Sequence, residues 1–355
     1  LESGKDIIVT TIQKFPFISE EMVKMGNKTF GVIIDEVHSS QSGESAKHLK
    51  KTLTASQDSD DDGEIDYEDK ILQEIQSRGK QNHISFFGFT GTPKNKTLEL
   101  FGRKRADGMF EAFHYYTMKQ SIYEGFTLDV IQNYTTYKRW FKVLQKSEED
   151  KKLPGSRATR ALVNFVDSHE ETIHRKVMII LDQFRNKTEK TIGGKGRGMV
   201  VVRSRLHCVL FFKEMVKQMR ELALPYSCLV AFSGTVSHNG EEFTEDSLNR
   251  GNGLAYGIPI EKGLKDPRYR ILIVSSKFQT GYDEPLLHSM FVDKVLNGIQ
   301  CVQTLSRLNR VTTGKTETFV LDFVNKYEDI ILSFQPFFTT TLLSEETDPN
   351  KLYDI

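Results

Sequence analysis

The chain has 355 residues, enough for two domains with separate cores, since typical domains run to about 100–200 residues. Its 48 Lys and Arg balance 48 Asp and Glu, and its three cysteines, Cys208, Cys228 and Cys301, are widely spaced. That spacing indicates neither a disulfide framework nor a zinc site. No apolar run reaches the ~18 residues of a membrane span, so we expect a cytoplasmic protein without membrane contact.

Short apolar runs in the first part of the chain predict strands at residues 7–11, 30–35 and 84–90. Because these runs are solidly apolar rather than alternating, we expect strands buried on both faces, as in parallel α/β sheets. Thr11 and Gln13 follow the first run and are candidates for contacts to nucleic-acid phosphates.

The second predicted strand ends in two carboxylates, Asp35 and Glu36, at the edge where α/β sheets place ligands. In a nucleotide hydrolase the first acid holds Mg²⁺, usually through water, and the second polarises the attacking water. We assign these roles to Asp35 and Glu36. A strand end with solvated acids is the alternative.

The charge is uneven, because residues 56–69 hold eight acidic residues and no basic one, which leaves 48 basic against 40 acidic residues elsewhere. That surplus allows a basic groove, so neutrality does not exclude a nucleic-acid partner. Five carboxylates of this stretch have the spacing of an EF-hand calcium loop: Asp58, Asp60, Asp62, Asp66 and Asp69. The last replaces the usual bidentate Glu and no second loop exists, so an acidic insert at about 54–69 is the alternative to a calcium site.

The third predicted strand leads into Thr90-Gly91-Thr92-Pro93, a turn rich in hydroxyl groups. Thr90 and Thr92 could link a phosphate site to a nucleic-acid groove by hydrogen bonds. A plain turn, in which Gly and Pro set the backbone, is the alternative.

Residues 134–196 are rich in charged side chains and predict a linker with a helical connector. The helix is indicated because residues 161–184 place apolar side chains three and four residues apart. The glycine-rich run 193–198 then predicts a flexible turn. Further apolar runs predict buried strands at 199–203, 229–232, 271–274, 290–292 and 319–323. The sequence thus predicts an α/β protein with one parallel-sheet lobe in residues 1–133, a second in 197–341 and a tail in 342–355.

Polar side chains follow the strands of the second lobe. Arg203, Ser204 and Arg205 follow one strand, and Ser233 and Thr235 follow the next. A protein that moves along backbone phosphates needs such hydroxyl, amide and guanidinium contacts. An ordinary surface pair is the alternative for the two arginines.

The segment from Gln303 to Arg310 predicts a helix that carries Gln303, Arg307 and Arg310 on one face. Guanidinium groups one turn apart suit a triphosphate whose charge must be neutralised as it is cut, and they would reach the γ-phosphate when two lobes close. Upstream, Asp283 lies in a loop after a predicted strand and can contact a ribose or the arginines. Solvated or ion-paired arginines are the alternative.

Seven segments in order carry a family resemblance: TTIQKF (10–15), DEVH (35–38), FTGTP (89–93), VVRSR (201–205), FSGT (232–235), TGYDEP (280–285) and QTLSRLNR (303–310). Together they resemble the helicase motor of superfamily two, and most closely the restriction and translocation (R) subunit of Type I restriction enzymes. The resemblance covers nearly the whole chain. It implies two RecA-like lobes, ATP and Mg²⁺ as cofactors, double-stranded DNA as the track, and methylation and specificity subunits as partners.

The resemblance also implies roles by position. Asp35, Glu36 and His38 match the family's magnesium and water-activating box, and Thr90 and Thr92 match its coupling motif. Gly281 and Asp283 match its nucleotide-contacting loop. Thr280, in the same loop, is a further predicted nucleic-acid contact. Gln303, Arg307 and Arg310 match its arginine motif.

One motif of such motors does not occur in the sequence, the phosphate-binding loop GxxxxGK[ST]. In the resembling family this loop and a nuclease domain lie upstream of the first motif. We therefore expect a fragment whose first lobe is incomplete at its N-terminus and which hydrolyses no appreciable ATP alone. The alternatives are a motor fragment of another superfamily-two helicase and a non-catalytic DNA- or calcium-binding module.

Overall fold

The computed structural model describes residues 5–11, 14, 18, 21–22, 24–25, 28–35, 83–93, 95–137, 169–278 and 282–338. The chain divides into two units, Leu1–Tyr116 and Thr117–Ile355. The boundaries of the two predicted lobes and of the connector stay a prediction.

Unit one contains a parallel strand pair, β1 (Phe30–Ile34) and β2 (Ile84–Gly88). Phe30 lies beside Ile84 and Ile34 beside Gly88, so the carboxyl ends of both strands share one edge. The other described elements of this unit are α1 (Asn95–Phe101), β3 (Arg103–Lys104) and β4 (Phe110–Glu111). The last two form an antiparallel pair.

Two predictions for unit one were wrong. Residues 7–11 form no strand, and Ile7 and Val9 are exposed. Burial along β1 and β2 alternates instead of being complete, and Ile33 and Phe87 are 72% and 53% exposed. Within the described part of unit one, residues 7–11 pair with no strand, and β1 and β2 form a sheet of two strands only. An apolar segment without a partner strand has no ladder for its backbone hydrogen bonds, and a two-stranded sheet lacks the flanking strands of a larger parallel sheet.

Unit two is built on a six-stranded sheet with the strand order β5-β12-β11-β6-β10-β7, in which every neighbouring pair is parallel. Its strands are β5 (Tyr134–Thr136), β6 (Arg197–Val202), β7 (Ser227–Ala231), β10 (Tyr269–Val274), β11 (Leu287–Asp293) and β12 (Phe319–Asp322). A separate antiparallel hairpin joins β8 (Thr235–His238) to β9 (Glu241–Thr244).

Helices connect these strands, as parallel pairing requires. They are α2 (Met118–Tyr123), α3 (His169–Lys187), α4 (Thr191–Gly194), α5 (Arg205–Glu221), α6 (Glu245–Gly251), α7 (Ile260–Gly263), α8 (Gly298–Leu305) and α9 (Tyr327–Phe338). No helix within the described ranges is long and apolar enough to cross a bilayer.

The central strands are buried along their whole length, which confirms the α/β parallel-sheet prediction for unit two. Along β6, Met199 and Val201 belong to one buried cluster and Val200 and Val202 to another. Successive side chains point to opposite faces of a sheet, so the two clusters are the cores on its two sides. A strand with a core on each side must be apolar at every position, which explains the solid runs in the sequence.

Two segments of the predicted connector belong to unit two. Strand β5 extends the edge of the sheet beside β12, and α3 buries Val177, Ile180 and Phe184 against the same core as Val200. The predicted helical periodicity is confirmed from His169 onward. The residues before it, from 138 to 168, lie outside the described ranges.

Candidate functional site

In unit one, three predicted site residues lie at the shared carboxyl edge of β1 and β2. Asp35 directly follows β1 and is exposed, and Phe89 N–H, after β2, donates to Ile34 O at 2.8 Å. Thr92 is buried, and its N–H donates to Thr90 Oγ1 at 3.1 Å. The structure therefore places the Asp35 carboxylate at the same edge as the turn that carries the Thr90 and Thr92 hydroxyl groups. The Thr90 hydroxyl already accepts one hydrogen bond within that turn.

Several predicted residues lie outside the described ranges, namely Gln13, Glu36, His38, Thr280, Gly281 and the calcium-loop residues Asp58, Asp60, Asp62, Asp66 and Asp69. Thr11 is described and exposed. The roles of all these residues stay predictions.

In unit two, the predicted helix carrying both arginines was partly wrong. Helix α8 ends at Leu305, Arg307 lies in a 3₁₀ turn (Ser306–Leu308), and Arg310 forms an isolated antiparallel bridge with Thr127. The adjacent Leu128 N–H donates to Asn309 O at 2.8 Å. Beyond the 3₁₀ turn, the chain therefore pairs with the segment near Thr127 instead of continuing the helix.

The segment nevertheless meets the loop that carries Asp283. Arg307 Nη1 donates to Tyr282 O at 3.1 Å, and its Nε donates to Gln303 O at 3.2 Å. Arg310 Nε lies 3.2 Å from Asp283 Oδ1, with the two side chains 49% and 69% exposed. We call Tyr282, Asp283, Gln303, Arg307 and Arg310 the arginine cluster. Of the two partners predicted for Asp283, the structure thus shows an arginine.

Buried contacts fix the loop beneath Asp283. Glu284 pairs with Arg197, the first residue of β6, and both side chains are nearly buried. Glu284 Oε1 also accepts from Leu286 N–H at 3.0 Å, and Arg197 N–H donates to Leu286 O at 2.8 Å. Burial raises the pKa of the neighbouring Tyr282 above its usual value, with the Glu284 charge adding to the effect. The arginine cluster therefore rests on a turn held to the start of β6.

A residue that the sequence reasoning missed lies below the cluster. Lys315 is 4% exposed, and its Nζ donates to Leu308 O at 2.7 Å, Arg310 O at 2.8 Å and Pro285 O at 3.4 Å. Burial lowers the pKa of Lys315 to about 8, and the Glu284 charge opposes this shift. A lysine in a Thr-Thr-Gly-Lys-Thr turn is typical of an exposed loop, so the sequence carried no signal for its burial.

The predicted nucleic-acid residues of unit two lie where β6 and β7 end. Ser204 caps α5, accepting from His207 N–H at 3.3 Å, and Arg203 Nε donates to His207 Nε2 at 2.8 Å. Arg205 Nη1 donates to Ser233 O at 3.2 Å. The structure thus joins the two strand ends that the sequence proposed as one surface.

The turn after Ser233 needs glycine. Gly234 has a φ of +75°, and a Cβ there would lie 3.0 Å from Arg205 Nη1. A larger residue would be strained and would crowd the guanidinium. Ser233 and Thr235 on either side of it are exposed.

The arginine cluster and the predicted nucleic-acid residues lie at opposite ends of strand β6. Arg197, which holds the loop of the arginine cluster, begins β6, whereas Arg203 follows its end. A six-residue strand spans about 20 Å at ~3.3 Å per residue. One buried strand therefore connects both groups.

Residues 241–325 match the family model described as Type I restriction enzyme subunit R domain 3. This range includes Asp283, Arg307, Arg310 and Lys315. The chain is 25% identical to the Type I restriction enzyme SauCOLORF180P endonuclease subunit of Staphylococcus aureus (strain COL), over 86% of this chain and 32% of that protein. It is 23% identical to the Type I restriction enzyme HindI endonuclease subunit of Haemophilus influenzae, over 94% of this chain and 31% of that protein.

The chain is similar to Type I restriction enzyme endonuclease subunits over most of its length. This confirms the resemblance read from the seven segments. The chain spans about a third of the length of the curated relatives it matches. Among solved structures it is similar to the ATP-dependent Type ISP restriction-modification enzyme LlaBIII bound to DNA, with 14% identity, a TM-score of 0.46, and coverage of 92% of this chain and 21% of that one.

Proposed function

We propose that this chain forms part of the motor of a Type I restriction endonuclease R subunit. In the assembled enzyme that motor hydrolyses ATP with Mg²⁺ and draws double-stranded DNA past the methylation and specificity subunits. The relatives and the matched family model support the restriction role. The single observation that carries the motor role is the arginine cluster, in which Arg310 pairs with the Asp283 carboxylate and Arg307 donates to the carbonyl of the neighbouring Tyr282.

Asp283 is proposed to be a partner of Arg310 that a phosphate displaces. The Asp283–Arg310 pair is exposed on both sides, and such pairs contribute only about 0–1 kcal/mol. A hydrogen bond from a guanidinium to a charged partner contributes about 1.5–3 kcal/mol, and a phosphate offers several acceptor oxygens at once. A triphosphate would thus compete with Asp283 for Arg310.

Unit one carries the proposed metal ligand. Asp35 supplies exposed carboxylate oxygens at a strand end, the ligand type that Mg²⁺ prefers, so the donor present fits the ion. When bound, Mg²⁺ would neutralise phosphate charge. Thr90 and Thr92 lie beside Asp35 at that edge and are proposed to relay nucleotide contacts toward DNA.

The DNA track is proposed to run over the ends of β6 and β7. Arg203 and Arg205 supply positive charge, and Ser204, Ser233 and Thr235 supply hydroxyl groups at the same edge. Contacts of this type bind phosphates irrespective of sequence, which suits a protein that moves along DNA.

The motor role is tested by DNA-stimulated phosphate release from the assembled enzyme with Arg307→Ala or Arg310→Ala in its R subunit. Arginines that neutralise a transferring phosphoryl group contribute about 10³–10⁵-fold to kcat, so each variant should lose at least about 100-fold. Arg268→Ala is the matched control, because Arg268 forms an exposed pair with Asp266 at 2.7 Å elsewhere in unit two. Unchanged rates in the cluster variants, or equal losses in the control, would refute the role.

A further inference from the structure

Lys315 joins the two segments that make the arginine cluster. Its Nζ contacts the carbonyl of Arg310 itself, the carbonyl of Leu308 next to Arg307, and the carbonyl of Pro285, two residues after Asp283. An ammonium group has three N–H donors and no acceptor, so three carbonyl groups match its full capacity. One buried side chain thereby ties together the backbones on both sides of the Asp283–Arg310 contact.

This tie is better placed to hold the cluster than the ion pair above it. The Asp283–Arg310 pair is exposed to water and salt, which weaken it, whereas Lys315 is 4% exposed. Hydrogen bonds from a charged donor are stronger than those between neutral groups, and a buried donor that loses its acceptors carries a desolvation cost. The hydrogen bonds of Lys315 therefore stabilise the contact between the two segments more than the Asp283–Arg310 pair does.

The charged groups around Lys315 also indicate that its charge belongs to this site. The negative charge of Glu284, in the Asp283 loop, favours the protonated form of Lys315. Glu284 is itself paired with Arg197. His288 on β11 is a second titratable group that the Lys315 charge affects. Burial and the Lys315 charge lower the pKa of His288 to about 4, while Glu317 opposes this, so the ring is neutral near pH 7. At neutral pH the site holds a protonated lysine beside a neutral imidazole.

We propose that Lys315 is a positioning residue of the motor, whose ammonium group holds the Arg307–Arg310 segment against the Asp283 loop so that both guanidinium groups are aligned for a nucleotide phosphate. The alignment role rests on the proposed function, whereas the tie between the two segments does not. Lys315 acts through backbone carbonyls and touches neither guanidinium.

The tie itself is tested by hydrogen–deuterium exchange of the 355-residue chain with Lys315→Met. The amides of Leu286 and Leu287 bond to Glu284, and Asn309 N–H bonds to Ser306 O, so both segments contain protected reporters. In the variant, exchange in residues 282–287 and 306–311 should rise at least about tenfold, the effect of losing one hydrogen bond to a charged donor.

A matched control separates local loosening from general destabilisation. Val209→Ala truncates a fully buried side chain of α5 in the cluster on the opposite face of the sheet. It should speed exchange throughout unit two without favouring the two segments. Equal protection of the segments in Lys315→Met and wild type would overturn the tie.

The alignment is tested in the assembled enzyme by DNA-stimulated phosphate release. Lys315→Met should lower kcat by about 100-fold, the scale for misplacing catalytic groups by an ångström, with a small change in the KM for ATP. Lys315→Arg, which keeps the charge and donors, should recover part of this loss. The wild-type kcat should also fall as the pH rises through about 8, because a neutral amine donates two hydrogen bonds instead of three, and the Lys315→Met rate should not follow that profile.

The outcomes distinguish the two proposals. Loss of kcat in Arg310→Ala together with a normal rate in Lys315→Met would overturn the positioning role and leave the motor role standing. A normal rate in Arg310→Ala would overturn the motor role and the alignment with it, while the exchange experiment would still decide whether Lys315 ties the segments.

Discussion

The buried charge of Lys315 predicts how the stability of the chain changes with alkaline pH. Burial lowers its folded-state pKa from 10.5 to about 8, so the folded protein binds this proton less tightly than the unfolded chain does. Between about pH 8 and pH 10.5 the unfolded state carries more protons. The free energy of unfolding due to this group therefore rises with pH across that window and is constant below it.

The size of the effect follows from the shift. One pKa unit corresponds to ~1.36 kcal/mol, so the difference between 10.5 and about 8 amounts to about 3 kcal/mol at most. Other groups titrate in the opposite direction. Burial raises the pKa of the Cys208 thiol to about 12 and also raises that of Tyr269, so folded-state protons on these groups make stability fall as pH rises. The Lys315 contribution must be isolated by comparison with a variant.

The assay is urea unfolding followed by far-ultraviolet circular dichroism at a series of pH values from 7 to 10.5, for wild type and Lys315→Met. The free-energy difference, wild type minus variant, should rise by about 3 kcal/mol across the window, because the cysteines and tyrosines cancel. A difference independent of pH would show that Lys315 keeps an ordinary pKa, and the account of its burial would be wrong.

Three other changes have defined outcomes. Arg203→Ala and Arg205→Ala should each reduce the salt dependence of duplex-DNA affinity, measured by fluorescence anisotropy, by about one unit of slope, whereas the exposed Arg220→Ala should not. Arg197→Met should cost about 3–5 kcal/mol in urea unfolding, because its carboxylate partner stays nearly buried without it; a loss below ~1 kcal/mol would contradict this. The depressed pKa of His288, about 4 instead of 6.5, should remove about 3 kcal/mol of stability as the pH falls from 6.5 to 4, and His288→Gln should flatten this decline relative to wild type.

The sequence predicted the sheet of unit two because a strand that is buried on both faces has an apolar residue at nearly every position. Each residue from Met199 to Val202 meets one of two cores, so none can be polar, and the run is visible without knowing its neighbours. The same rule failed for residues 7–11. An apolar run shows that burial is favourable. Whether the run forms a strand depends on whether the rest of the fold supplies a partner strand.

The arginine segment shows a different limit. Its residues from Gln303 to Arg310 contain no proline or glycine, and local propensity alone favours a continuous helix. The helix ends at Leu305, and beyond it Leu128 N–H donates to the carbonyl of Asn309 while Lys315 donates to the carbonyls of Leu308 and Arg310. These partners are distant in sequence or hidden in a polar turn. Local pattern predicted the candidate residues, and tertiary contacts decided their geometry.

The placement of both groups on β6 constrains how unit two can transmit a nucleotide signal. Arg197 holds the loop of the arginine cluster at the start of the strand, and Arg203 begins the proposed DNA surface just past its end. The strand between them is buried on both faces, and packed interiors resist small internal deformations. In the proposed motor, a force on the arginines would therefore pass to the proposed DNA surface as movement of the whole sheet. For the proposed motor, this favours rigid-body displacement of unit two over rearrangement within it.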